Sequence, residues 1–520
     1  MRKLSGIILG CLFVLAMTVS AVAQETIMLE PFSDPLMEVQ GVLPEGWTAA
    51  GNGLYMRGES PTDVTLLAIQ AAPASLAQVI PSLLPQLGLT EMPAPVEQVE
   101  ANGLQWAVYQ IDVPVAGSII RVDLALAHQD GRSYIALFQT NEDEYQALHE
   151  SVFVPVLQSV MPLAAEPTEP LPYIAEDVTF PGGAEGVMLA GTLTLPEGEG
   201  PFPVVVLVSG SGPQNRDENL APAAAIKPFA LIADALTRAG VAVLRYDDRG
   251  VGESTGDFDT ALIVDFVADA SAAVDYLLTR DEIDPEQIGL LGHSEGGLSA
   301  AYLGANNPNL AFVIGMAPPA VLGLDLLVEQ NIAIVISTSE EGEVTEEELV
   351  TLRDFVSRTL TAVADGDLET AEHTAREMYT WVAGNLTPEE LADAGYSDPA
   401  VLVEDAVTAI MAAYESPWYQ ELLNWDASED WARVTIPVLG LFGGKDVQVV
   451  ASQNAPAMEA ALEQAGNADF EIVILPNANH LFQEAVTGTV AEYATLGTEF
   501  TPDFLPTIVD WVLARVRVVE

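Results

Sequence analysis

Hydrophobic and polar positions change their period twice along this 520-residue chain. Between about residues 24 and 165 the apolar residues recur at alternate positions, as in Arg121-Val122-Asp123-Leu124, which is the period of a half-buried strand. Strands are predicted over Thr65 to Gln70, Gln105 to Val113, Ile119 to Ala127 and Ser133 to Gln139, and helices over Ser75 to Leu87 and Glu142 to Met161. Pro81 and Pro85 weigh against the first helix, and Pro155 predicts a kink in the second. Beyond residue 173 come solid apolar runs separated by helical stretches, the mark of a mostly parallel sheet covered on both faces. A hairpin of Glu176 to Phe180 and Val187 to Leu195 leads into strands at Val204 to Val208, Val241 to Tyr246, Gln287 to Leu291, Phe312 to Met316, Val438 to Phe442 and Phe470 to Leu475. Helices are predicted at Phe229 to Arg238, Leu262 to Leu278, Leu298 to Ala305, Ala455 to Ala465 and Phe504 to Arg515.

Between about 324 and 433 the alternation gives way to helix signals alone. Thr345-Glu346-Glu347-Glu348 and Thr387-Pro388-Glu389-Glu390 are capping boxes, the second with proline at the first helical position. A helical insertion at this point in a parallel sheet is where a cap over a site would be placed; a subdomain that touches no substrate is the alternative. The fold class expected is therefore α/β, a mostly parallel sheet with helices on both faces and a helical cap insertion, preceded by an N-terminal α+β domain.

The remaining boundaries come from composition. Arg2 and Lys3, the apolar run Leu4 to Val22 and Ala21-Val22-Ala23 form a signal peptide over 1–23, which implies export, to the periplasm, the exterior or the cell surface. An uncleaved anchor is the alternative that the length permits, and a lipoprotein signal at Cys11 follows too short an apolar run. The accessory unit occupies 24–165, a Pro-rich acidic linker 166–172, and the α/β unit 173–520. No other stretch is long and apolar enough to span a bilayer.

The net formal charge is −58, from 76 acidic and 18 basic side chains. Removing Arg2 and Lys3 with the leader takes it to −60. Such a surface repels nucleic acid and anionic membranes, so no nucleic-acid partner is expected; the acidity reads as a solubility feature and names no substrate, and the expectation of a small-molecule ester substrate rests on the motifs. Hydrophobic residues make up 49% of the chain, enough for a large core. Cys11 is the sole cysteine, so a mature exported chain would rely on that core and not on disulfides.

The chemistry centres on Gly292-His293-Ser294-Glu295-Gly296-Gly297. It sits between a strand and a helix, the setting of a nucleophile elbow with the pattern G-x-S-x-G. Ser294 is the candidate nucleophile. The backbone N–H of Glu295, opening the helix, is one candidate oxyanion donor. Asp446, after Gly443-Gly444-Lys445, and His480, after the last strand, complete the order Ser…Asp…His at strand carboxyl ends. A turn aspartate and a capping histidine are the plainer readings. His293 is expected to be a structural hydrogen-bonder. The second oxyanion donor is placed at the N–H of Ser211, in the loop Ser209-Gly210-Ser211-Gly212-Pro213-Gln214. His128 and His149 in the N-terminal unit read as lone surface or capping residues.

Three long motifs carry a resemblance. Ser209-Gly210-Ser211-Gly212-Pro213-Gln214-Asn215-Arg216-Asp217-Glu218, Arg245-Tyr246-Asp247-Asp248-Arg249-Gly250-Val251-Gly252-Glu253-Ser254 and the elbow at Gly292 to Gly297 resemble, in order, the signatures of a family of bacterial α/β-hydrolase esterases related to the prolyl oligopeptidases. Lys227-Pro228-Phe229 and Gly444-Lys445-Asp446 agree with it. The resemblance covers roughly 175–520 and implies an α/β-hydrolase fold and ester hydrolysis through an acyl-enzyme, without metal or cofactor. Asn215 stands where an aspartate is frequent, and Ile226 where a histidine often precedes Lys-Pro-Phe. Arg216, Asp217 and Arg249 read as loop-fixing ion pairs. The N-terminal region loosely resembles the PsbP-like fold in element order; a binding or scaffold role is its default, with its partner open.

The function expected is an exported serine carboxylesterase. A serine aminopeptidase or dipeptidyl-peptidase uses the same triad and would carry a carboxylate pair in the cap, for which Glu340, Glu341, Glu343 and Glu372 are available. A binding protein with a retired hydrolase domain is the non-enzyme alternative.

Overall fold

The computed structural model of the chain describes residues 27–163, 171–339 and 344–518, apart from 35, 36, 38, 52, 59–62, scattered positions between 73 and 90, 116, 117, 130, 221–223 and 395. The leader, most of the linker, and much of the helix expected over Ser75 to Leu87 lie outside the described residues.

Two sheets build the N-terminal part. Strands β1 (Leu29–Asp34) and β2 (Val39–Pro44) pair antiparallel, and β10 (Met161–Pro162) adds to β2. The larger sheet holds β3 (Thr48–Gly51), β4 (Leu54–Met56), β5 (Leu66–Ala72), β6 (Glu97–Ala101), β7 (Leu104–Val115), β8 (Ser118–Gln129) and β9 (Arg132–Asn141), antiparallel in the order β3-β4-β5-β9-β8-β7-β6. Alternation along β8 gives each face a core. Val122, Leu124 and Leu126 join one cluster, while Ala125 and Ala127 join another with Trp106, Phe138 and Phe153. The predicted kink near Pro155 takes a specific form. Helix α1 (Glu142–Leu148) opens into a π turn at His149–Phe153 before α2 (Val154–Ser159). Proline has no N–H to give to the α ladder, and a wider turn carries the chain past the gap.

His149 corrects one expectation. It is no lone histidine: Nδ1 lies 2.7 Å from Oδ2 of the fully buried Asp123, whose Oδ1 accepts a hydrogen bond from the Tyr145 hydroxyl at 2.6 Å. The hydrogen bond to Asp123 and its charge, against partial burial, raise the His149 pKa above its ordinary value.

The second part is one eight-stranded sheet. Its strands are β11 (Tyr173–Pro181), β12 (Met188–Pro196), β13 (Phe202–Val208), β14 (Ala242–Tyr246), β15 (Ile283–His293), β16 (Leu310–Met316), β17 (Val438–Gly443) and β18 (Phe470–Leu475). They lie in the order β11-β12-β14-β13-β15-β16-β17-β18. The β11–β12 hairpin joins β14 antiparallel, and every pairing from β14 to β18 is parallel. Val206 pairs with Leu290, Leu290 with Val313 and Val313 with Val438, so the carboxyl ends of β13, β15, β16 and β17 come level. All seven residues of β13 are buried, as a strand covered on both faces requires. Helices α3 (Pro228–Arg238), α4 (Ile263–Leu277) and α5 (Gly296–Asn306) follow the early strands.

Between β16 and β17 the chain forms α6 (Gly323–Thr338), α7 (Glu346–Ala364), α8 (Leu368–Asn385), α9 (Pro388–Asp393), α10 (Pro399–Tyr414), α11 (Pro417–Asn424) and α12 (Ala427–Trp431). Both predicted capping boxes are formed, at Thr345 with Glu348 and at Thr387 with Glu390. The segment closes on itself where it leaves and rejoins the sheet. Leu322 bridges to Asp426, and Gly323 N–H donates to Trp425 O at 2.9 Å. A Cβ on Gly323 would sit 1.7 Å from Leu422 O, so only glycine fits this crossing. Helices α13 (Ala451–Ala465) and α14 (Phe504–Leu513) complete the unit. Among the described residues no helix is long and apolar enough to cross a membrane.

Candidate active site

The elbow turns sharply because its neighbours have no Cβ. Ser294 has φ +52°, a conformation unfavourable for any residue with a side chain. A Cβ on Gly292 would lie 2.0 Å from Gly296 O, and one on Gly296 would lie 2.3 Å from Val208 O. The turn is held by Ser294 N–H donating to Met316 O at 2.9 Å and Gly297 N–H donating to Ser294 O at 2.8 Å. Ser294 is half-buried while its flanking residues are buried, which leaves the serine as the point of the turn open to a reactant.

Asp446 and His480 meet through two turns packed backbone to backbone. Lys445 N–H donates to Ala478 O at 2.8 Å, and a Cβ on Gly443 or Gly444 would meet Ala478 O or Pro476 O at 2.5 Å. His480 Nδ1 lies 2.7 Å from Asp446 Oδ2, and both residues are buried. Asp446 Oδ1 accepts the N–H groups of Gln448 at 2.7 Å and Val449 at 3.0 Å. The carboxylate is thereby fixed as an acceptor, so the ring proton sits on Nδ1 and Nε2 of the neutral imidazole is left as a base. In this substrate-free geometry no hydrogen bond joins the Ser294 hydroxyl to His480; such bonds commonly tighten only when substrate arrives.

The loop after β13 is anchored from beneath. Asp248 Oδ1 accepts from the Ser209 hydroxyl at 2.8 Å and Oδ2 from Gln214 N–H at 2.9 Å. Burial drives the Asp248 pKa well above its ordinary value against these two donors, and nearby Glu295 and Glu218 add to the rise. Glu218, at φ +54°, accepts from Gly210 N–H at 3.1 Å and faces His293 Nδ1 at 2.7 Å. The loop comes nearest Ser294 at Gly210, where a Cβ would sit 3.1 Å from Ser294 Cβ. Gly210 N–H is taken by Glu218, whereas the N–H groups of Ser211 and Glu295 have no acceptor among the described residues. That is the state in which an oxyanion donor waits.

The ion-pair readings hold. Arg216 bonds Asp247 at 2.6 Å, Arg245 bonds Asp217 at 2.8 Å and Arg249 bonds Asp269 at 2.7 Å. Three residues at the site were not singled out from the sequence for what they do here. Glu218 and Asp248 fix the loop, and Trp418 of α11 donates from Nε1 to Glu295 Oε2 at 3.1 Å, tying the helical insertion to the elbow. The first two stand inside quoted motifs, but their partners lie 75 and 39 residues away. No cluster of side chains suited to a metal ion occurs among the described residues.

A family profile described as "Alpha/beta hydrolase family" matches residues 205–492, more than half of the chain. "Esterase EstD" of Thermotoga maritima is 28% identical over 313 residues, covering 60% of this chain and 61% of its own; the chain thus spans about three-fifths of that relative. An uncharacterised 31.7 kDa protein of Escherichia coli is 26% identical over 287 residues, covering 54% of this chain and 83% of its own. Among solved structures, an esterase of Pyrococcus furiosus aligns with 14% identity and a TM-score of 0.39, over 68% of this chain and 96% of its own.

Proposed function

Because the chain belongs to the alpha/beta hydrolase family, we propose that it is a serine hydrolase that cleaves carboxylic esters. The observation that carries this reading is the buried His480–Asp446 pair, 2.7 Å apart, at the same end of the sheet as the strained Ser294 elbow. Similarity to the Thermotoga maritima esterase supports the choice of ester over other acyl substrates. In this mechanism His480 Nε2 takes the Ser294 proton as Oγ attacks the ester carbonyl. The N–H groups of Glu295 and Ser211 receive the oxyanion. The tetrahedral adduct then expels the alcohol, which leaves with the proton from His480, and water releases the acid by the same steps reversed. Asp446 holds the ring tautomer and stabilises the imidazolium.

The reading extends to export through the leader at 1–23, with the helical segment at 324–433 as a cap and the N-terminal α+β unit, PsbP-like in element order, as a binding or scaffold element. The carboxylates that a peptidase would need in the cap add no support to that alternative. Glu340, Glu341 and Glu343 lie outside the described residues, and Glu372 pairs with Arg376 at 3.0 Å on the surface. The test is hydrolysis of a chromogenic ester series beside aminoacyl anilides, with Ser294→Ala as control. Ester turnover lost in the variant supports the esterase. Anilide turnover with little ester activity moves the assignment to a peptidase, and no Ser294-dependent turnover on either set leaves a binding protein.

A further inference from the structure

Beside the elbow lies a small, open-mouthed pocket. Its walls are aromatic: Tyr246, Phe258, Phe266 and Trp418. Its rim is the oxyanion loop at Ser209, Gly210 and Gly212, and the start of α5 supplies Glu295, Gly296 and Ser299. A Cβ on Gly210 would sit 3.1 Å from Ser294 Cβ, and Glu295 follows Ser294 in the chain, so a carbonyl carbon attacked by Ser294 would have this pocket as a neighbour. No basic side chain lines it. Its two ionisable residues of consequence are carboxylic acids. Asp248 has both oxygens engaged by Ser209 and Gln214. Glu295, 9% exposed, has one oxygen held by Trp418, and its other oxygen has no partner among the described residues.

We propose that this pocket receives the acyl group, that it takes compact acyl groups without negative charge, and that the Glu295 side chain is the specificity-determining residue that turns away an acyl group ending in a carboxylate. The inference rests on the esterase reading and deepens it. An anionic acyl terminus would enter a space whose ionisable neighbours are the carboxyl groups of Glu295 and Asp248, with no cation among the described lining residues to pair with; like charges brought together away from bulk water are mutually unfavourable. A neutral amide, hydroxyl or alkyl terminus meets no such cost. The geometry also predicts a dependence on pH. Burial raises the Glu295 pKa to about 8, with the Trp418 hydrogen bond opposing the rise and Glu421 adding to it. Discrimination against a carboxylate therefore strengthens as pH rises through that value, because Glu295 then carries its own charge.

The experiment compares two esters of the same alcohol and length, ethyl glutaramate and monoethyl glutarate, which differ in a terminal amide against a terminal carboxylate. The full-length protein is assayed by pH-stat between pH 6 and 9, with reactive enzyme counted by a phosphonate probe that labels the nucleophile. The expected kcat/KM ratio of amide to carboxylate ester rises at least tenfold across that range. In Glu295→Gln the ratio is smaller at pH 9 and flat with pH. Trp418→Phe keeps the carboxyl but removes its donor, so the rise in the ratio moves to higher pH. Ratios that agree within threefold among the three proteins at every pH overturn the inference while leaving the esterase intact. No turnover of either ester or of the chromogenic series overturns both.

Discussion

The His293 ring lies 4.8 Å from the His480 ring, and its two nitrogens both face acceptors, Glu218 Oε1 at 2.7 Å and the backbone oxygen of His480 at 3.1 Å. A neutral imidazole has one proton to give, so this arrangement calls for the imidazolium. Full burial would lower the His293 pKa, but the charge and hydrogen bond of Glu218 and the carbonyl of His480 outweigh it, and the net direction is upward. A buried Glu218–His293 ion pair thus stands behind His480, joining the loop after β13, the elbow and the turn that carries His480.

Breaking that pair is expected to cost about 3–5 kcal/mol, because it strands one buried charge. His293→Gln should lower the free energy of unfolding by this much and reduce turnover. Adding Glu218→Gln should recover part of the loss. Urea unfolding of the two single variants and the double variant measures the coupling, and an additive double variant contradicts a charged pair.

Asp446→Asn keeps the shape of the pair at His480 but offers an amide donor to Nδ1, which favours the wrong tautomer. Turnover should fall by roughly 10³–10⁴-fold with KM little changed. Steady-state kinetics on a chromogenic ester checks it.

Glu295 links stability to pH. Its pKa in the folded chain, about 8, lies above its ordinary 4.5, so between those values the folded state holds a proton that the unfolded state has released. Stability from this group is full below about pH 4.5 and is lost as pH rises through about 8, with a slope of up to roughly 1.4 kcal/mol per pH unit. His293, also raised, changes stability in the same direction above its ordinary 6.5. Thermal melts should therefore fall from pH 6 to pH 9, and less steeply in Glu295→Gln than in the parent.

Gly292→Ala tests the elbow. Its new Cβ would sit 2.0 Å from Gly296 O and 2.4 Å from the attached carbon, backbone atoms that cannot move aside without unmaking the turn. A loss of more than about 3 kcal/mol is expected, measured by the melting temperature beside Ser294→Ala, which should melt within a few degrees of the parent.

The α/β part was legible because its signals are local. The strands of the parallel sheet carry apolar runs, and Ser294, Asp446 and His480 each stand within a few residues of the end of one. The N-terminal part was legible in its four long strands and in the helical stretch from Glu142, but not in its short strands. β3 has four residues and β4 three, and β1 is Leu-Glu-Pro-Phe-Ser-Asp with three residues of intermediate burial beside exposed neighbours. Pairing across the sheet makes such segments strands, and periodicity over so few residues cannot. The same limit hid Glu218, Asp248 and Trp418. Their residue types are visible, but the contacts that give them a role cross 75, 39 and 123 residues of chain.

The bridge between Leu322 and Asp426, with Gly323 N–H on Trp425 O, brings the two ends of the helical insertion to one spot. A segment spliced in at a single point behaves like an interchangeable fitting. It can lengthen, shorten or be traded for another without re-threading a strand of the sheet. Its contact with the reaction centre is concentrated in the bond from Trp418 to Glu295. Evolution, or an engineer, could therefore replace this fitting while the strands of the sheet are inherited unaltered.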